Sequence, residues 1–231
     1  MGDFNQFIWI RENKEVIKSP VLEIGSRHYN KETSINYRNL CQGFEYTGLD
    51  ILAGSNVDLV LDMTSPFDNI DRILEGRRFK TIICCSVMEH VRDIFTFARN
   101  VDRLLDMEGV LFISVPFAWE FHGYPSDFWR FTPEAVKYLF PKLNFISGGT
   151  ISSHLINDIQ KLPANINDYA YVTYSDIPCI FSSDFSLISN IKRGVKFLIR
   201  KEFRRKVLVY KWFKTNRLIK TCTINMMGIK K

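Results

Sequence analysis

No stretch of this chain approaches the roughly 18–20 consecutive apolar residues that cross a bilayer. The longest apolar run near the N-terminus, Phe7-Ile8-Trp9-Ile10, is also too short for the core of a secretory signal. A cytoplasmic protein, soluble or peripheral to a membrane, is therefore expected. Cysteines are few and badly spaced for a scaffold: there are five, at 41, 84, 85, 179 and 222. An odd count without a CxxC pair argues against a disulfide framework or a zinc ribbon and favours a reducing compartment. Cys84 and Cys85 lie side by side in an apolar run, where they are expected to pack as small buried hydrophobes. None of His28, His90, His122 and His154 stands at ligand spacing from a Cys or another His, so no metal site is expected.

Acidic residues are almost absent from one end. Residues 187–231 carry 14 Lys and Arg against Glu202 alone, whereas the first 186 residues carry 17 basic and 24 acidic side chains. The net +6 thus conceals a body of −7 and a tail of +13. A uniformly basic protein would suggest a nucleic-acid coat; this division suggests a body with its own task and a tail that meets an anionic surface. With 46% hydrophobic and 14% aromatic residues over 231 positions, the chain can bury a full core. The expected organisation is a domain over 1–186 and a basic amphipathic extension over 187–231.

Residues 4–18 suit a short amphipathic helix that Ser19-Pro20 stops. Short apolar runs then recur at Val21–Gly25, Phe44–Asp50, Val57–Asp62, Phe79–Ser86 and Gly109–Pro116. Helical spacing lies between them, most clearly over 91–105, where Val91, Ile94, Phe95, Ala98, Val101, Leu104 and Leu105 repeat at three and four. Strands separated by helices predict an α/β fold with a parallel sheet covered on both faces. Thr132 is placed to cap a helix with Pro133 at its first position. Residues 143–150 and 177–182 are candidates for two further strands.

Ligands of such sheets sit beyond the carboxyl ends of the strands, where Gly25, Asp50, Asp62 and Ser86 all fall. A glycine after the first strand admits a ligand to the backbone. An acid after the second strand suits ribose hydroxyls. An acid after the third suits an adenine amino group, with Ile51 and Met63 sandwiching the ring. As helix caps or solvated surface groups the same acids would be unremarkable singly; the ordered set of Gly25, Asp50 and Asp62 on three successive strand ends would make a nucleoside pocket. The first turn, Gly25-Ser26-Arg27-His28-Tyr29-Asn30, lacks the second and third glycines of a dinucleotide fingerprint. A pyrophosphate needs that close approach. S-adenosylmethionine (SAM), an adenine cofactor without phosphate, does not.

The segments Val21-Leu22-Glu23-Ile24-Gly25-Ser26, Tyr46-Thr47-Gly48-Leu49-Asp50, Val57-Asp58-Leu59-Val60-Leu61-Asp62 and Ser86-Val87-Met88-Glu89-His90-Val91 resemble, in order and spacing, the signatures of class I SAM-dependent methyltransferases of the type 11 group. The resemblance covers about residues 20–150. It implies a Rossmann-like, mostly parallel seven-stranded sheet with helices on both faces and an antiparallel last strand. It also implies SAM as cofactor. Glu23 would lie near the SAM amino group, the backbone at Gly25 and Ser26 along the methionine moiety, and Asp50 at the ribose. Asp62 and Met63 would meet the adenine, and Ser86 and Val87 the methionine side. Arg27 and Tyr29 stand where the common family turn has further glycines.

The loop from Pro116 to Pro133 is dense in aromatic and ionisable groups and follows the fifth strand, close to where a methyl donor would present its sulfonium. His122 is its single histidine and the candidate base; Asp127 either orients it or pairs with Arg130. Tyr124 and Trp129 offer stacking surfaces. Alternatively, Asp127, Trp129 and Arg130 only pin the loop and close the core. The loop resembles type 11 members that act on polysaccharides and secondary metabolites, which implies a saccharide or lipid-linked glycan acceptor methylated on oxygen. His90 is expected to serve as a structural hydrogen-bonding residue.

In the tail, Ile191, Val195, Leu198, Ile199, Phe203, Val207, Tyr210 and Phe213 recur at helical spacing among cations. Packing on the body, insertion at an anionic membrane surface and phosphate binding all fit this pattern, with lipid favoured over nucleic acid by its apolarity. An RNA methyltransferase and a non-catalytic methyltransferase-like binding protein stay open as alternatives. Oligomeric state is not legible.

Overall fold

The computed structural model describes residues 4–28, 35–123, 126–146, 149–153, 157–162, 174–175, 218–219 and 222–231. Residues 1–164 and 221–231 form one compact unit and residues 165–220 a second. In the second unit, the short strands β9 (Tyr174–Ser175) and β10 (Leu218–Ile219) pair antiparallel. The expected strand at 177–182, Tyr124, His154 and most of the basic segment lie outside the described residues.

The first unit is built on one sheet. Strands β1 (Val21–Ile24), β2 (Tyr46–Asp50), β3 (Leu59–Val60), β4 (Phe79–Cys85) and β5 (Leu105–Ala118) run parallel in the order β3-β2-β1-β4-β5. Against β5 lies β11 (Cys222–Lys230), antiparallel, and on its far side β6 (Leu143–Phe145) and β7 (Thr150–Ser153) share one position along it. Strand β8 (Ile159–Lys161) extends the edge from β7. This is the expected seven-position sheet with its last strand antiparallel, enlarged by one edge strand. Every position of β1 is buried, as a strand covered on both faces must be.

The division drawn at residue 187 is corrected by β11. Residues 222–230 are a central strand of the sheet, not part of an appended tail. The uncharged run 221–229 supplies Ile224, Met226 and Met227 to the core. Lys230, one of the tail's cations, turns its amine onto the carbonyls of Asp102 and Leu105. Within β11, Asn225 is fully buried and satisfied by neighbours on both sides: Ser114 Oγ donates to its oxygen (2.5 Å), while its amide donates to Thr150 Oγ1 (2.9 Å) and Ser152 Oγ (3.1 Å).

Helices fall where the pattern placed them, with shifted ends. Helix α1 (Phe4–Glu12) buries Ile8, Trp9 and Ile10, and Trp9 meets Phe112 of β5 edge to face with ring centroids 5.5 Å apart. Two short helices, α2 (Tyr37–Leu40) and α3 (Phe67–Ile73), precede α4. Helix α4 (Ile94–Leu104) starts three residues later than expected because Asp93 caps it, accepting the Thr96 N–H at 3.0 Å. Its stripe of Ile94, Phe97, Ala98, Val101 and Leu104 is buried, each larger side chain contributing about 1.5–3 kcal/mol. Thr132 caps α5 (Pro133–Leu139), accepting the Ala135 N–H. Cys41, Cys84 and Cys85 are buried free thiols, and Cys222 is buried.

Candidate functional site

The carboxyl ends of β1 and β4 meet at one cleft, with β2 paired on the other side of β1. Gly25 leaves β1 in the left-handed region (φ +80°), with its N–H and that of Ser26 both donating to the Leu49 carbonyl. A Cβ at Gly25 would stand 2.3 Å from the Val87 Cγ2 atom. The turn is therefore closed to any other residue, as a bare backbone facing a ligand requires. Beside it opens a small cleft whose lining includes Glu23, Gly25, Arg27, His28, Tyr37 and Cys85.

Two buried carboxylates lie near this turn. Asp50, at the end of β2, is buried and accepts the N–H groups of Leu52 (3.0 Å) and Arg27 (3.3 Å). Each of its oxygens keeps lone-pair capacity for a diol. Glu23 is buried within β1; the Tyr46 hydroxyl and the Asn56 amide donate to its Oε2. Burial pushes the Glu23 carboxyl up to about 8, opposed by the Asn56 hydrogen bond and the Arg38 cation. Arg38 lies over the Tyr46 ring, bonds Asn56 Oδ1 at 2.7 Å and pairs with Asp58 at 2.5 Å. Asp58 in turn accepts the Gly48 N–H (2.7 Å). Tyr46, Asn56 and Arg38 therefore support Glu23, a role that strand patterning does not reveal.

Asp62 is exposed, with Oδ1 holding both the N–H and hydroxyl of Thr64 at 2.8 Å. Met63 differs from expectation. Its side chain is buried and its carbonyl accepts the Asn100 amide, so the exposed apolar surface beside this end is Ile51, with Leu52 next to it. Ser86 also adopts a left-handed conformation (φ +52°). Its N–H reaches the Ser114 carbonyl, and its hydroxyl accepts a bond from Gln6 of α1 at 2.9 Å.

The loop after β5 folds back over the turn that follows β4. Asp127, its side chain almost fully buried, takes both guanidinium arms of Arg130 (2.5 and 2.7 Å) and the backbone N–H of His122 (2.9 Å). The Arg130 hydrogen bonds hold the Asp127 carboxyl down at about 2. Asp127 thus does both things expected of it, because its Oδ2 also lies 3.4 Å from His122 Nδ1. Arg130 further donates to the carbonyls of Trp119 and Glu120, and Trp129 donates its indole N–H to the Val91 carbonyl at 2.8 Å. Arg130 and Trp129 are accordingly built into the loop as pins. The faces of Trp129 and Phe121 remain exposed.

This return brings His122 to His90, ring centroids 5.1 Å apart and edge to face. His90 Nδ1 meets the Ser126 carbonyl at 2.6 Å, the structural bond foreseen for it, and burial lowers its pKa. Glu89, the preceding residue, is buried, and its Oε2 has no hydrogen-bond partner among the described residues. Burial raises its carboxyl to about 7.

No protein-family model and no curated protein matches the chain. Solved structures do. A SAM-dependent methyltransferase from Archaeoglobus fulgidus is 15% identical, with 98% of this chain and 93% of that one covered at a TM-score of 0.53. The YcgJ protein from Bacillus subtilis is 13% identical, with 99% of each chain covered at a TM-score of 0.50. This is the class I methyltransferase fold.

Within the methyltransferase fold, the cleft beside Gly25 sits where β1 and β4 diverge to the two sides of the sheet, the place at which such sheets take ligands. Strand-end reading located Glu23, Gly25, Ser26, Asp50, Ser86 and Val87 together. Gln6, Tyr37 and Asn56 escaped it because they arrive from α1, α2 and the left-handed turn at 56. Glu89 and His122 meet only through the loop's return.

Proposed function

We propose that the protein is a SAM-dependent methyltransferase acting on oxygen, with a saccharide or lipid-linked glycan intermediate as acceptor, working at the cytoplasmic face of a membrane. One observation carries the cofactor part: Gly25, closed by Val87 to any side chain, ends the strand that buries Glu23, and the neighbouring strand β2 ends in the buried Asp50. The fold shared with the Archaeoglobus methyltransferase supports it. On this reading the Gly25-Ser26 backbone follows the methionine moiety, Asp50 accepts the ribose hydroxyls, Glu23 faces the ammonium, and Asp62 with Ile51 takes the adenine.

Methyl transfer is an in-line displacement. The acceptor oxygen forms the bond to the methyl carbon, the carbon–sulfur bond breaks, and its electron pair stays on sulfur. His122 fits the proton's destination. Its Nδ1 faces the Glu120 carbonyl (3.1 Å), an acceptor only, so Nδ1 carries the hydrogen and Nε2 the lone pair. Such a base contributes about 10²–10⁴-fold. The exposed faces of Trp129 and Phe121 offer the flat apolar platforms on which sugar rings stack.

Transfer of labelled methyl from SAM to glycolipid extracts, with RNA in a parallel arm, tests the acceptor. Labelled glycan with unlabelled RNA supports the reading, and the reverse defeats it. His122→Ala should abolish transfer and leave S-adenosylhomocysteine (SAH) binding intact; retained turnover removes His122 from the chemistry. For the membrane, replacing Arg200, Lys201, Arg204 and Arg205 by Gln should release the protein from anionic liposomes. No binding by the parent chain ends that part.

A further inference from the structure

We propose that Glu89, His90 and His122 form a binding site for a divalent transition-metal ion, two imidazoles and one carboxylate with an open position toward the acceptor. The proposal deepens the methyltransferase reading and rests on it only for what the open position holds.

One donor atom from each of the three residues lies within 4.8 Å of the other two. They come from two segments: Glu89 and His90 from the 3₁₀ turn after β4 (Met88–His90), and His122 from the loop after β5. The hydrogen bonds fix which nitrogens are available. His90 Nδ1 faces the Ser126 carbonyl at 2.6 Å and His122 Nδ1 faces the Glu120 carbonyl at 3.1 Å. A carbonyl oxygen only accepts, so each ring carries its hydrogen on Nδ1 and its lone pair on Nε2. Ligating histidines are held in this way, with the non-ligating N–H donated to a carbonyl or carboxylate. His122 has the second kind of support as well, because Asp127 Oδ2 stands 3.4 Å from its Nδ1.

The carboxylate supplies an independent indication. Glu89 has a side-chain exposure of 2%, its Oε1 lies 3.9 Å from His90 Nε2, and its Oε2 has no hydrogen-bond partner among the described residues. A buried carboxylate oxygen without a partner is costly, and a cation held between it and two imidazole lone pairs would satisfy it. His122 is a third exposed along its side chain, which leaves an approach from the loop side.

Two histidines and a glutamate, with the remaining positions open, are the donor set of catalytic zinc sites and, as a facial triad, of non-haem iron. A hydroxyl bound in the open position would lose its proton to solvent more readily. The resulting oxygen would then take the methyl group while the sulfonium electrons remain on sulfur. In the loaded site His122 Nε2 is occupied by the metal, so activation of the acceptor passes from the imidazole to the ion.

Titration of the metal-stripped full chain with Co²⁺, followed by its visible ligand-field absorption, tests the site without any acceptor. The expected result is saturable binding of one equivalent, competed by Zn²⁺ and weakened more than about 100-fold in Glu89→Gln, His90→Ala and His122→Ala. His28→Ala should bind as the parent does. SAH binding by the Glu89, His90 and His122 variants reports that the fold is intact, and Glu89→Gln keeps the shape of the buried side chain. Absence of saturable binding by the parent chain, or binding that survives in Glu89→Gln and His122→Ala, overturns the proposal. Neither result touches cofactor binding, which is measured separately.

Discussion

Val87 occupies the space that a side chain on Gly25 would need: its Cγ2 methyl lies 2.3 Å from the position of a Cβ there, and its own Cβ lies 3.7 Å away. Strand β1 thus leaves the sheet with its backbone pressed against the residue that follows Ser86. Gly25→Ala should cost about 1–2 kcal/mol for the left-handed conformation alone, more for the displaced Val87, and should abolish the thermal shift given by SAH. Adding Val87→Ala removes the closest atom and leaves an ordinary contact. Urea denaturation of the double variant should therefore recover the packing part of the loss, but not the conformational part.

Glu23 should make cofactor binding release a proton. Its carboxyl is raised to about 8 from an ordinary value near 4.5 by burial, so the unliganded protein holds it protonated at neutral pH. The folded state then binds more protons than the unfolded state between pH 4.5 and 8, and Glu23 lowers stability as pH rises through that window. A cofactor ammonium beside it favours the ionised form. Calorimetric titration of SAH at pH 7 in buffers of different ionisation enthalpy should show proton release, and Glu23→Gln should remove it.

Arg130→Ala leaves the buried Asp127 carboxylate without its guanidinium partner and the two hydrogen bonds it donates, and frees the carbonyls of Trp119 and Glu120. Limited proteolysis should cut the loop between Trp119 and Phe131 in this variant and spare it in the parent, with SAH binding unchanged in both. The pH dependence has a definite sign. Asp127 is held down at about 2, so its contribution is complete above the ordinary value near 3.8 and is lost only as pH falls through about 2. Loop protection should therefore persist to about pH 3.

Asn225 ties β5, β11 and β7 together through three side chains. Asn225→Ala would remove the partner of the Ser114 and Thr150 hydroxyls in or near the core, at about 1–3 kcal/mol for each group left unsatisfied, while Ser152 keeps its bond to Thr223. The urea midpoint should fall accordingly. Asn225→Asp, which retains the acceptor but buries a charge, should do no better.

The cofactor end of the sheet was legible because strands announce themselves locally. An apolar run ending in Gly25 or Asp50 says where a strand stops, and a parallel sheet puts all such ends on one side. Strand β11 was hidden by its neighbours. The basic residues up to Lys220 coloured the whole C-terminus as an appendage, although 221–229 contains no charged side chain and that gap was the available signal. Met63 misled for a different reason. It follows a strand end, but its side chain is buried and its carbonyl is held by Asn100 of α4, a contact between distant segments that local pattern does not show. The meeting of Glu89 and His122 depends on a loop's return and has no local signature.

Isothermal titration of the purified full chain with SAH tests the central claim most directly. The account predicts saturable binding at one site per chain, weakened at least about tenfold, or 1.4 kcal/mol, by Asp50→Ala and abolished by Gly25→Ala. Heats no greater than dilution at millimolar SAH, or equal affinity in Asp50→Ala, would contradict it.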